Sequence, residues 1–238
     1  MTAVATDARR APLGVLGGMG PLASAEFLKT IYETGVTGPE QSAPGVVLHS
    51  DPSMPDRTSS FLTGGTEIVL ARFISALQAL EREGVSKIVV CCITIHYLLP
   101  RLPPELRSRI VSLLDVISAT IASTPDRHLL LCTTGTRQLR LFETHPDWAV
   151  MKDRLVMPDD DDQLRIHNTI YQVKERGDVQ ILVTLVERLL EKYQVTSFVA
   201  GCTEIHFAAK RFAGASGAGA RCVDPLLIIA DSVARGTL

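Results

Sequence analysis

Two short stretches of the chain carry the same reactive pattern. Cys92-Ile93-Thr94-Ile95-His96 and Cys202-Thr203-Glu204-Ile205-His206 each place a threonine close behind a cysteine and a histidine four residues after it. A thiolate can act as a base and a thiol as an acid, so two such residues facing each other can move protons on and off one carbon. One takes the proton from one face of an α-carbon and the other returns a proton to the opposite face. Backbone amides beside them would stabilise the enolate-like intermediate. Inversion of a stereocentre needs such a pair. His96 and His206, one turn beyond, are candidate auxiliaries that could bond a substrate or lower a thiol pKa through their charge.

A lone cysteine at a strand end is ordinarily packing, because cysteine is among the most often buried residues. Two at matching places in an internal repeat are a different matter. KIVVCCITIH pairs with SFVAGCTEIH, and GGMGPLASAEF pairs with TTGTRQLRLFE. Cys91 has no counterpart, since Gly201 stands in its place, and adjacent strand residues point to opposite faces. Cys91, Cys132 and Cys222 are therefore expected to be packing residues. Five cysteines, with no C-x-x-C pair, argue against both a disulfide framework and a structural zinc site. No metal is expected. The acidic run Asp159 to Asp162 is expected to open a helix, where carboxylates meet the positive end of its dipole.

These residues need elements to hold them. Near-continuous apolar runs at 13–18, 45–51, 87–92, 128–135 and 197–203, with a weaker one at 154–158, read as strands covered on both faces. Residues 22–35, 66–83, 104–122, 137–144, 161–176, 178–193 and 225–235 have apolar positions at helical spacing. Alternating strands and helices imply an α/β fold with right-handed crossovers. The repeat predicts two similar doubly wound lobes with central, mostly parallel sheets and the active site in the cleft between them. The first would span residues 1–117, with 224–238 returning to it, and the second 118–223. Residues 213–220 read as a flexible loop. Cys92 and Cys202 each end a strand, where ligands of open α/β sheets bind and free backbone N–H groups favour anions.

The surface excludes several partner classes. Lys and Arg number 24 against 26 Asp and Glu, interspersed along the chain, so no nucleic-acid partner is expected. No apolar stretch reaches the roughly 18 residues that span a bilayer, so no membrane role is expected. The polar opening MTAVATDARRAP lacks a signal-peptide core, which predicts a cytoplasmic protein.

At these residues the sequence resembles the aspartate/glutamate racemase family, most closely its aspartate racemase branch. The motifs that carry the resemblance are Gly17-Gly18-Met19-Gly20-Pro21, Pro55-Asp56-Arg57-Thr58, Cys92-Ile93-Thr94-Ile95-His96, Thr133-Thr134-Gly135-Thr136, Gly201-Cys202-Thr203-Glu204 and Asp224-Pro225. They run in family order over almost the whole chain. The resemblance implies a homodimeric amino-acid racemase that needs no cofactor, with Cys92 and Cys202 as acid/base thiols. It implies that Thr94, Thr134, Thr136 and Thr203 grip the substrate's α-carboxylate and that Arg57 pairs bidentately with a distal one. Met19 and Gly20 would line the cleft, and Glu204 would lie at the substrate.

Two departures from the family pattern bear on the substrate. Ile93 replaces the asparagine that follows the first cysteine, and isoleucine can neither donate nor accept a hydrogen bond. Glu175 stands where the branch has lysine, with Lys174 about 100° round the helix. Together they predict a substrate other than plain aspartate. Three alternatives compete: a superfamily isomerase or decarboxylase acting on a related dicarboxylate, a degenerate binding protein, and a dinucleotide-dependent oxidoreductase. The last rests on Gly18-Met19-Gly20-Pro21-Leu22-Ala23, which fits the G-x-G-x-x-A fingerprint but puts proline in the phosphate turn.

Overall fold

A computed structural model describes residues 11–36, 38–214 and 221–238 of the chain. The N-terminal residues 1–10 and positions 215–220 of the expected loop lie outside them. In the first half β1 (Leu13–Gly17) leads into α1 (Pro21–Gly35), β2 (Val46–Ser50), α2 (Arg57–Thr63), α3 (Thr66–Arg82) and β3 (Ile88–Val90). A 3-10 segment over Thr94–Arg101 follows, then α4 (Pro104–Arg107), β4 (Ile110–Val111) and α5 (Leu113–Ala122). The second half runs β5 (His128–Cys132), α6 (Thr134–Gln138), α7 (Trp148–Met151), β6 (Leu155–Val156), α8 (Asp160–Arg176) and α9 (Val179–Lys192). It closes with β7 (Ser197–Gly201), α10 (Ile205–Gly214), β8 (Arg221–Val223) and α11 (Pro225–Ala234).

The strands form two four-stranded sheets, ordered β2-β1-β3-β4 and β6-β5-β7-β8. Every pairing is parallel. The two orders are one topology used twice, with β3 and β7 in equivalent places. In each sheet the connection reverses direction after the second strand of the half. That creates a switch point at the carboxyl ends of β1 and β3, and another at those of β5 and β7. The four motif-bearing turns, at Gly18–Gly20, Cys92–Thr94, Thr133–Thr136 and Cys202–Glu204, leave those four strand ends.

Alternation along the strands sorts the side chains into three cores. Val89, Cys91 and Ile93 join Val15, Leu130, Cys132 and Val199 in a core shared by both sheets. Val90 and Cys92 face the other way, with Phe73 and Leu77 of α3. Ala200 and Cys202 likewise face Ile170 of α8 and Val186 of α9. Near-continuous apolarity in these strands thus has the expected cause, since both faces are covered. On the seam between lobes, a β-carbon at Gly135 would come within 2.9 Å of the Thr58 Cα, so α6 and α2 touch through backbone. Helix α11 packs on α1 and α5.

The sequence-based outline needs several amendments. The helix expected over 104–122 is broken by β4, because Ile110 and Val111 pair with β3 and Ser112 caps a new helix by accepting from the Asp115 N–H. The helix expected over 137–144 starts earlier and stops at Gln138, where Arg140 enters the left-handed region at φ 52°. Helices α2, α7 and α10 and the short strand β8 were not expected. Among the described residues no helix is long and apolar enough to cross a membrane.

Candidate active site

Cys92 and Cys202 leave equivalent strands, and each is 6% exposed. Their partners differ. Cys202 Sγ lies 2.9 Å from Glu204 Oε2, as donor to the carboxylate. Burial first, and the Glu204 charge second, push its pKa well above that of an ordinary thiol. Cys92 lies instead in reach of the Arg57 guanidinium. Burial disfavours the charge on Arg57, yet Cys92, Asp56 and Glu204 outweigh it and hold its pKa above the ordinary value.

Arg57 opens α2 behind Asp56, whose side chain accepts from the Ser59 N–H and caps the helix. Its Nη1 donates to the carbonyls of Met54 and Pro55 at 3.1 and 2.9 Å, and its Nη2 to that of Met19 at 2.9 Å. Those bonds tie up much of the fork expected for a substrate carboxylate. The Nε–H is buried and has no hydrogen-bond partner among the described residues. On the opposite side Glu204 Oε1 is equally buried and unpartnered. It lies so near Gly20 that a β-carbon there would come within 2.4 Å of it. Gly18 has φ 91°, and a β-carbon there would meet the Asp51 backbone at 2.4 Å. The room that the two glycines provide is thus taken by this chain's own atoms, not left as a phosphate cradle.

Lys174 and Glu175 exchange the roles expected of them. Glu175 is exposed on α8, whereas Lys174 is half-buried and turned inward. Its Nζ sits 4.7 Å from the centre of the Tyr171 ring. Burial works against its charge, but Glu204, Cys202 and Cys92 together raise its pKa above the usual lysine range, against opposition from Arg57. Helix phase decides this: Lys174 follows Ile170 and Val173 on the buried face, and Glu175 lies about 100° away. Tyr171 adds a contact across the lobes, donating to Asp56 Oδ2 at 2.6 Å.

The threonines bond to one another across the cleft. Thr94 Oγ1 is 2.9 Å from Thr136 Oγ1 and 3.3 Å from Thr133 Oγ1. Thr133 caps α6 and was not among the expected site residues, although it belongs to the quoted motif. Thr203 Oγ1 donates to the Cys91 carbonyl at 3.3 Å. The Thr134 N–H donates to His167 Nδ1 at 3.3 Å. Met19 is buried beside Cys92 in the outer core of the first sheet.

Three expected residues have other work. Ile93 is 1% exposed and its side chain packs in the core shared by the two sheets. His96 accepts the Leu113 N–H on Nε2 at 3.1 Å, which leaves the proton on Nδ1 to bond the Cys92 carbonyl at 2.9 Å. Burial lowers its pKa to about 4, so it stays neutral and fastens the turn instead of charging the thiol. His206 is fully buried between Asp224 Oδ2 at 2.5 Å and Thr30 Oγ1 at 2.9 Å. Asp224 also caps α11 through the Leu226 N–H, so α1, α10 and α11 meet at one imidazole. Asp224→Ala is expected to cost about 1–3 kcal/mol of stability in urea unfolding, because it leaves a buried histidine nitrogen without its hydrogen-bond partner. A loss under 1 kcal/mol would show that the joint is dispensable.

The other cysteines behave as packing residues. Burial raises Cys91 far above the ordinary thiol value and both Cys132 and Cys222 to about 12. Among the described residues no group of three or more His, Cys, Asp or Glu side chains is placed to hold a metal ion.

The chain and its fold have known counterparts. The family profile described as Asp/Glu/Hydantoin racemase matches residues 16–233. The fold is similar to an aspartate racemase of Picrophilus torridus, with TM-score 0.76, 21% identity and 95% of each chain covered. A glutamate racemase of Francisella tularensis, solved in complex with D-glutamate, is similar at TM-score 0.61 and 14% identity, over 94% of this chain and 79% of that one. Allantoin racemase from Klebsiella pneumoniae is similar at TM-score 0.55 and 14% identity, over 95% of this chain and 89% of that one.

Proposed function

Because the chain belongs to the Asp/Glu/Hydantoin racemase family, we propose that it inverts the α-carbon of an acidic amino acid without a cofactor, using Cys92 and Cys202 as its two acid/base groups. The observation that carries this reading is a pair of orphans. A buried donor, Arg57 Nε, and a buried acceptor, Glu204 Oε1, have no hydrogen-bond partner among the described residues, beside the two thiols. A buried polar group without a partner costs about 1–3 kcal/mol. A zwitterion supplies an acceptor and a donor at once. Its α-proton is acidified when its carboxylate is held by cations, and Arg57 and Lys174 provide two.

Two cationic side chains favour a substrate with a second carboxylate. The expectation of a substrate other than aspartate rested on Ile93 and Glu175, which lie in the core and on the surface respectively. With both side chains so placed, aspartate and its close analogues become the first candidates. The two lobes, residues 1–117 with 224–238 and 118–223, would each contribute one thiol, and the enzyme would act as a cytoplasmic homodimer.

The test is proton exchange. In deuterated water the enzyme is expected to place deuterium on the α-carbon of one enantiomer of an acidic amino acid while producing the other. An absence of exchange with aspartate, glutamate and asparagine would overturn the reading. Release of carbon dioxide from a dicarboxylate instead would move the protein to the decarboxylases of the superfamily.

A further inference from the structure

The two thiols hold equivalent places in a repeated topology, yet their surroundings are chemically opposite. Cys202 faces a carboxylate and Cys92 faces a guanidinium. We propose that Glu204 is a catalytic residue that shares a single proton with Cys202, so that the resting enzyme is asymmetric, with Cys202 as the loaded acid and Cys92 as the base. This deepens the racemase reading and rests on it for the catalytic consequence.

The argument is geometric. A thiolate and a carboxylate 2.9 Å apart, both buried, would be two like charges in a poorly screened site. The pair avoids that by keeping one proton between the sulfur and Oε2. Among the described residues no carboxylate hydrogen-bonds to Cys92, which lies beside the Arg57 guanidinium instead. Exposure does not distinguish the thiols, since each is 6% accessible.

The proton balance follows. The Cys92 thiolate takes the α-proton: an S–H bond forms, the C–H bond breaks, and its electron pair passes into the substrate carboxylate as an enediolate. Cys202 then gives its proton to the other face: its S–H bond breaks, a C–H bond forms, and the sulfur keeps the electron pair. Cys202 is left anionic beside Glu204, with the Lys174 ammonium the nearby cation in electrostatic reach of both. The enantiomer that needs Cys202 as base starts from that higher-energy form, and Glu204 sets how much higher it is.

Thiol alkylation tests this without any substrate. Resting wild-type enzyme is treated with iodoacetamide from pH 6 to 10, and each cysteine peptide is quantified by mass spectrometry. Cys92 is expected to react at least tenfold faster than Cys202 at pH 7, with the Cys202 rate rising at higher pH than that of Cys92. In Glu204→Gln the amide removes the charge, so the Cys202 rate should rise at least tenfold and that of Cys92 should stay within twofold. Equal wild-type rates with coincident pH midpoints would overturn the proposal. So would a Glu204→Gln variant in which Cys202 is unchanged or both thiols accelerate alike. If that variant does not fold, the wild-type pH series decides alone. Failure here with deuterium exchange intact would refute the asymmetry and leave the racemase reading standing, whereas the converse result would refute only the racemase reading.

Discussion

Replacing either Cys92 or Cys202 by alanine is expected to lower racemisation by about 10³-fold or more, because under the two-thiol proposal each change removes a general acid or base from one face of the substrate. The losses should not multiply in the double variant, since inversion needs both groups and one absence already stops it. Partial exchange makes the result sharper. A variant that keeps Cys92 can still remove and return a proton on one face. It should therefore wash deuterium into one enantiomer without forming the other. Cys91→Ala provides the control: Cys91 lies in the core between the sheets and should leave turnover nearly unchanged. Full racemisation in both Cys92→Ala and Cys202→Ala would end the two-thiol mechanism.

The second large effect concerns α8. Lys174→Ala is expected to reduce kcat/KM for an acidic amino acid by about 10- to 100-fold, the value of a charge-assisted contact of about 1.5–3 kcal/mol. Glu175→Ala should change it by less than about twofold, since Glu175 faces solvent on the same helix. The contrast between neighbouring residues separates a directed ammonium from a general charge effect. Equal effects at both positions would mean that the inward turn of Lys174 has no part in binding. Because Lys174 also lies in electrostatic reach of Glu204 and Cys202, its removal should slow the chemical step as well as weaken binding.

Much of this architecture was legible beforehand because parallel strands buried on both faces cannot hide their apolar runs. The repeat was legible for a related reason: the turns that leave the equivalent strands β3 and β7 share a cysteine, a threonine and a following isoleucine and histidine. What escaped was short or depended on phase. Strand β4 has two residues and β8 three, too few to show a period. Glu175 stands at the position where the branch has lysine, whereas a helix fixes direction by angle, and Ile170 and Val173 on the buried face point to Lys174. The core placement of the Ile93 side chain also had a signal in plain view. The alternation that separates Cys91 from Cys92 returns at Ile93 to the Cys91 face, and the shared core holds both. His206 could not be assigned because its partners, Thr30 and Asp224, come from distant parts of the chain.

The repeated strand order has a meaning beyond economy of folding. The two faces of a planar carbanion are mirror images, and a chain built of L-residues has no mirror operation available to it. Using one topology twice is the nearest substitute, because it can present the same chemical group to a carbon from opposite sides. The substitution is imperfect, and Arg57 on one side against Glu204 on the other records the imperfection. An enzyme whose overall equilibrium is fixed by symmetry at equal amounts of both hands would then travel between them over a landscape that is itself handed.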